Sequence, residues 1–218
     1  MMTVKEVSSA QDAREFLMLP VKLYRNSPYW IRPLDNDVKS VFDPEKNKAF
    51  RHGSCCRWIL TDDQHQVIGR VAAFINTKTV NKGNDQPTGG MGFFECIENK
   101  DAAFLLFDTC KKWLAEKGME AMDGPVNFGE RDRWWGLLIE GHDRHTIYQC
   151  NYNFPYYKDF FEAYGFQVYF YQLTFGRKVQ GPLSDRLEEK AKIIARDSDY
   201  SFRYLRKSEL HRLPDLIR

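Results

Sequence analysis

The stretch GFFECIENKDAAFLLF, residues 92–107, reads as a strand running directly into a helix. Apolar positions dominate up to Ile97, the polar Glu98-Asn99-Lys100-Asp101 follows, and an apolar periodic run begins at Ala102. Junctions of this kind gather anions, because unpaired helix N–H groups and the helix dipole favour negative charge. Here the junction has no glycine and carries two carboxylates, Glu98 and Asp101. Asp101 is placed to cap its own helix.

Working outward, Ala103, Leu106, Phe107, Cys110, Trp113 and Leu114 fall on one helical stripe, which Gly118 ends. Upstream, RWILTDDQHQVIGRVAAFIN (57–76) is a β-hairpin, and the Gly-, Asn- and Thr-rich 77–90 is a mobile loop. Downstream, MEAMDGPVNF (119–128) is a strand broken by Gly124-Pro125. An aromatic connection (129–154) leads to the helix PYYKDFFEAYGF (155–166) and a period-two strand, 166–175. At the N-terminus a strand (3–7) precedes a helix from Ala10 capped by Ser8 or Ser9, in which Pro20 forces a kink or a restart before Tyr24. Residues 26–34 form an extended packed loop, and a short helix spans Asn36 to Val41. The tail reads as an amphipathic helix (182–199) with Leu183, Leu187, Ala191 and Ile194 on one stripe, a strand (200–206) and a further helix from Lys207.

A chain of 218 residues with 43% hydrophobic content builds a substantial core. Its 32 basic residues nearly balance 30 acidic ones, so nothing argues for nucleic-acid binding. The aromatic share of 15% fits either a large aromatic core or a broad apolar groove. Five cysteines without paired spacing read as apolar filling in a reducing compartment. No signal-peptide pattern opens the chain and no apolar run is long enough to span a bilayer, so a cytoplasmic protein without a transmembrane segment is expected. Peripheral membrane contact stays open. No metal is expected: HDRH (142–145) has only Asp143 beside its two histidines. RDRWW (131–135) reads either as a packed loop or as the lining of an acceptor groove.

This order of elements resembles the GCN5-related N-acetyltransferase (GNAT) superfamily, and within it the bacterial two-domain group of YghO-type acyltransferases. The resemblance is carried by FLMLPVKLYRNSPYWIRPL, VIGRVAAFIN, GFFECIENKDAA, WLAEKGMEAMDGPVNF and YNFPYYKDFFEAYGF, over about residues 14–175. It implies an α/β (α+β mixed) fold. A central, mixed, mostly antiparallel sheet is flanked by helices, and its two central strands, 92–97 and 120–128, splay apart to admit a thioester arm. It also implies a GNAT-like domain over 1–180, with 181–218 as a linker helix and the start of a second, truncated GNAT-like domain. Gly124-Pro125 suits the splay on its own, since proline cannot complete a ladder, although a plain strand end is the other reading.

The resemblance further implies transfer of an acyl group to a primary amine, with acyl-CoA or acetyl-CoA as co-substrate and no metal. Such transfer needs a base for the ammonium proton, support for the oxyanion and an acid for the thiolate. Glu95 occupies the place of the base; the other reading of it is a carboxylate paired with Arg70 on the neighbouring strand. In the acid position, four residues before Gly165, stands Phe161, which holds no proton to give; Tyr156 and Tyr157, a turn earlier, are the substitutes, with Tyr164 and Tyr152 behind them. Ile97, Lys100, Ala102, Ala103 and Asn127 take the donor-binding places. The phosphate loop departs from the family pattern, because Asp101 stands where glycine lets a backbone approach pyrophosphate. Acyl carrier protein is therefore an alternative donor. The subgroup's link to ceramide-type lipid N-acylation implies a small-molecule or lipid amine acceptor. A non-catalytic GNAT-fold binding or scaffold domain is the rival expectation.

Overall fold

In the computed structural model residues 1–130, 132–178, 180–182 and 184–213 are described, in two compact units, Met1–Val168 and Tyr169–Arg218. The expectations placed on Arg131, on Leu183 and on a helix through 214–218 lie outside the described residues. In the first unit β1 (Thr3–Glu6), β2 (Gly53–Thr61), β3 (Val67–Asn76) and β4 (Thr88–Cys96) pair antiparallel in sequence order, and β5 (Ala121–Asp123) adds parallel to β4. The sheet is thus mixed and mostly antiparallel.

Helices cover both faces, which is why β3 reads as a nearly unbroken apolar run rather than an alternating one. On one face α3 (Lys100–Ala115) and α4 (Tyr156–Tyr164) pack on Trp58, Leu60, Val71, Met91 and Phe94. On the other, α1 (Ala10–Leu23) and α2 (Asp35–Val41) bring Phe16, Val38 and Val41 against Ile59, Ala72 and Phe74, joined by Phe128 and Trp134.

A β-bulge decides which way β4 points its side chains. Arg70 pairs with Glu95 and Ala72 with Gly92, so Val71 alone opposes both Phe93 and Phe94. Phe93 absorbs the extra residue with φ 51°. Met91 and Phe94, three positions apart, therefore share the α3 face, and Phe93 and Glu95 turn toward α1 and α2. Gly92 sits where a Cβ would overlap the Val126 carbonyl, so only glycine lets the chain after β5 pass this close. Beyond that crossing, where the Val126 N–H donates to the Met91 carbonyl, β5 no longer pairs with β4.

Helix α1 begins in a capping box: Ser9 accepts from the Asp12 N–H, and Asp12 accepts from the Ser9 N–H. It then runs through Pro20 to Leu23 without the expected restart. A proline inside a helix costs about 3 kcal/mol, since it removes an N–H and crowds the carbonyl four residues back. That carbonyl belongs to Phe16, and the Arg70 guanidinium takes it, Nη1 donating at 2.7 Å. The ladder resumes one turn on, where the Tyr24 N–H donates to the Pro20 carbonyl.

Several expectations are corrected. α3 is capped by Asn99, whose side chain accepts from the Ala102 N–H at 3.0 Å, and not by Asp101, which lies exposed inside the first turn. β4 starts at Thr88, so Thr88–Gly90 belong to the strand that pairs with β5 and not to the preceding loop. β5 ends at Asp123, far short of residue 128. Residues 166–175 form no strand. Phe166 packs on Phe107 and Phe161, while Tyr169, Leu173 and Phe175 are exposed. Alternation says which side chains share a face, but a strand also needs a neighbour for its N–H and C=O groups. In the second unit α5 (Asp185–Arg196) is present with Leu187, Ile193 and Ile194 exposed. Residues 200–206 are again not a strand, and Lys207–Arg212 is a 3₁₀ turn rather than an α-helix.

Candidate active site

The end of β4 is where chemistry-bearing groups converge. Glu95 is buried, 8% exposed, with three partners drawn from three elements. Tyr24, the C-cap of α1, donates its hydroxyl to Oε2 at 2.5 Å. Tyr157, in the first turn of α4, lies 3.0 Å from the same oxygen. Arg70 on β3 reaches Oε1 only at 3.5 Å, because its Nη1 is held by the Phe16 carbonyl. Burial lifts Glu95 above the ordinary carboxylate range, while Arg70 and the two hydroxyls pull it back. Burial also pushes both phenols well above their usual range, so they stay protonated and act as donors.

Tyr157 does more than touch the carboxylate. Its oxygen accepts from the Cys96 N–H at 2.8 Å and lies 3.1 Å from the Cys96 carbonyl. The Tyr156 hydroxyl meets that carbonyl at 3.0 Å. Cys96 falls between the bonded positions Glu95 and Ile97, so its backbone groups face away from β3, toward the edge that β5 leaves open. The paired tyrosines fill this edge with side-chain hydroxyls. Phe161, at the position where an acid is expected, is packed in the core against Phe94 and Phe107.

A cavity of about 70 Å³ opens beside this cluster. Glu95, Arg70, Asp35, Asn153, Tyr152 and Tyr157 are among its polar walls, and Leu17, Trp30, Phe93, Phe94 and Trp134 among its apolar ones. Its size suits a small head group rather than an acyl chain. Trp134, with φ 42°, is 6% exposed, and its indole N–H is buried without a partner among the described residues. A buried donor left without a partner costs about 1–3 kcal/mol.

The other expected donor-binding residues lie elsewhere. The Ile97 N–H is spent on the Ile68 carbonyl. Lys100 is exposed, with its ammonium over the Phe104 ring. The N–H groups of Ala102 and Ala103 both go to Asn99, one to its side chain and one to its carbonyl. Asn127 donates to the Glu130 carbonyl, while its own side-chain oxygen is buried without a partner among the described residues. None of these five lines the cavity. Tyr152 does line it and shares a 2.8 Å hydrogen bond with Ser27, whereas Tyr164 bonds Asp108. Sequence reasoning missed Tyr24, whose one signal is its position a helical turn after Pro20. It noticed Trp134 only as half of an aromatic pair.

Strand order, the parting of β4 from β5 and the carboxylate at the end of β4 make this a mixed, mostly antiparallel α/β domain with a buried acid beside an open strand edge. In sequence the chain is 27% identical over 164 residues to Protein YghO of Escherichia coli, covering 75% of this chain and 41% of that protein. It is 31% identical over 147 residues to the bacterial ceramide synthase of Caulobacter vibrioides, covering 65% and 36%. The chain thus spans about two fifths of the length of these relatives. Among solved structures, an aminoglycoside 6'-N-acetyltransferase from Acinetobacter baumannii superposes with a TM-score of 0.48 at 13% identity, over 82% of this chain and 99% of that one. No family model matches.

Proposed function

We propose that the chain is an N-acyltransferase domain that moves an acyl group from a thioester donor to a primary amine. One observation carries the reading: a buried carboxylate with a raised affinity for protons stands at the wall of a cavity sized for an amine head group. Glu95 takes the proton of the ammonium, and the freed amine attacks the thioester carbonyl, forming a C–N bond. As the tetrahedral intermediate collapses, the C–S bond breaks and the nitrogen gives up its second proton to solvent, leaving a neutral amide. The proton held on Glu95 passes through the Tyr157 hydroxyl to the leaving sulfur, which leaves Glu95 ionised for the next turn. Tyr157 is the acid in this scheme because it touches Glu95 and lines the cavity. Tyr156 braces the same strand edge through the Cys96 carbonyl.

The relative named a ceramide synthase supports a lipid or long-chain amine as acceptor. Trp30 and the half-exposed Ile31 give the cavity wall an apolar side against which such a chain can lie. Residues 98–103 fit a pyrophosphate poorly: Asn99 takes the N–H groups of Ala102 and Ala103, and Asp101 adds a negative charge. The same observation favours carrier protein over coenzyme A as donor, and it gives the second reading, a binding or scaffold domain, its support. Thermal-shift titration with acetyl-CoA, palmitoyl-CoA and acylated carrier protein, followed by amide formation on a panel of amines, separates these readings. Stabilisation by a donor together with amide product is expected. No response to any donor and no product would leave the scaffold.

A further inference from the structure

We propose that Pro20 is a positioning residue for Glu95: by withholding an N–H from the Phe16 carbonyl it engages one arm of Arg70, and so keeps the guanidinium from closing a two-pronged pair on the carboxylate. A helix of ordinary residues would satisfy that carbonyl with the N–H four residues on. Position 20 has none, and Arg70 Nη1 fills the gap at 2.7 Å. The cost appears at the other end of the guanidinium. Nη2 stands 3.5 Å from Glu95 Oε1, and Nε finds no partner among the described residues although it is buried. Two parallel N–H···O bonds are the geometry a guanidinium and a carboxylate adopt when free to do so. The Phe16 ring, 4.8 Å from Cζ, helps fix the guanidinium in this compromise.

The consequence is for the proton. The groups that face Glu95 are Arg70 from β3, Tyr24 from the end of α1 and Tyr157 from α4. A closed Arg70 pair would hold the carboxylate ionised and occupied, while the loosened one leaves burial in command. The effect on catalysis rests on the reading of Glu95 as the base, whereas the effect on its ionisation does not.

Pro20→Ala tests this, since alanine is the better helix former and leaves the fold intact. The readout is the Glu95 carboxyl band in infrared pH titrations, identified by its disappearance in Glu95→Gln. Restoring the N–H at position 20 releases Arg70, so the Glu95 midpoint falls. In an Arg70→Gln background the same substitution leaves the midpoint where Arg70→Gln alone puts it. The new backbone amide at position 20, now bonded to Phe16, exchanges slowly with solvent. An unchanged midpoint in Pro20→Ala, an equal fall in both backgrounds, or rapid exchange of the amide at position 20 overturns the proposal. The titration needs neither donor nor acceptor, so a protein that fails to acylate amines is still tested, and a failed titration leaves the acylation reading untouched.

Discussion

Glu95 and Asp101 stand at the two ends of one β–α junction, and the fold treats their carboxylates in opposite ways. Glu95 is drawn inside, loses its water, and is answered by an arginine and two phenols from three other elements. Asp101 stays in solvent on the first turn of a helix that already has its cap. Nothing local distinguishes the two acids; the bulge at Phe93–Phe94 does. It reverses the side-chain alternation of β4 and delivers residue 95 to the face where α1 ends. The strand half of the junction therefore buries its acid among partners, and the helix half leaves its acid in water.

The largest way to break this contrast is Glu95→Gln. On the proposed reading, loss of the general base lowers acylation by about 10²-fold or more, read as kcat/KM on any amine that the wild type accepts. The same variant has a stability signature. Folding raises the Glu95 midpoint, so the group supports the fold while protonated, below its unfolded-state value, and gives that support up as pH climbs through the raised folded-state value. Urea unfolding should accordingly show Glu95→Gln gaining on the wild type toward alkaline pH and not toward acid. A parallel pH dependence in the two proteins would mean that Glu95 is not desolvated.

Tyr24→Phe is next in size. A hydrogen bond to a charged group is worth about 1.5–3 kcal/mol, and the Tyr24 hydroxyl favours the ionised form of Glu95. Its removal raises the Glu95 midpoint further, and the acidic limb of the kcat/KM profile moves to higher pH. An unmoved limb with a lowered plateau would make Tyr24 a packing residue against Trp30 and Phe154 instead.

Much of this contrast is legible in the sequence. The hairpin, the α3 stripe and Gly165 as the left-handed end of α4 follow from local pattern, because each depends on residues within a few positions, whereas Glu95 is singled out by the family resemblance. What stayed hidden depends on partners far along the chain. Tyr24 meets Glu95 across 71 positions, a distance that no periodicity encodes. The bulge could not be read either, since a run as apolar as GGMGFF satisfies either parity. Pattern also misled where it lacked a neighbour: YFYQLTF alternates as a half-buried strand would, yet no strand pairs with it among the described residues.

On the helix side of the junction the effects are smaller and of a different kind. Asn99→Ala removes the side-chain acceptor for the Ala102 N–H and costs about 1 kcal/mol of stability by chemical denaturation. It leaves the pH profile of acylation where it was, because no bond links Asn99 to Glu95 among the described residues. A shifted profile would couple the two halves and dissolve the distinction.

Asp101→Asn has the smallest expected effect and the most to say about the donor. The substitution removes one negative charge from the start of α3 and alters neither the cap nor the core, so stability changes by no more than about 0.3–1 kcal/mol, the range for a charge at a helix terminus. If a pyrophosphate approaches this end of the helix although Asn99 takes the Ala102 and Ala103 N–H groups, the lost repulsion tightens acyl-CoA binding, and the gain shrinks as salt is added. If the donor is presented by a carrier protein or lies along the open β4 edge alone, acyl-CoA affinity is the same with either residue. Isothermal titration at low and high ionic strength distinguishes these cases. An unchanged affinity at both would place the junction outside the donor's reach, with Asn99 and Asp101 serving only the helix that follows them.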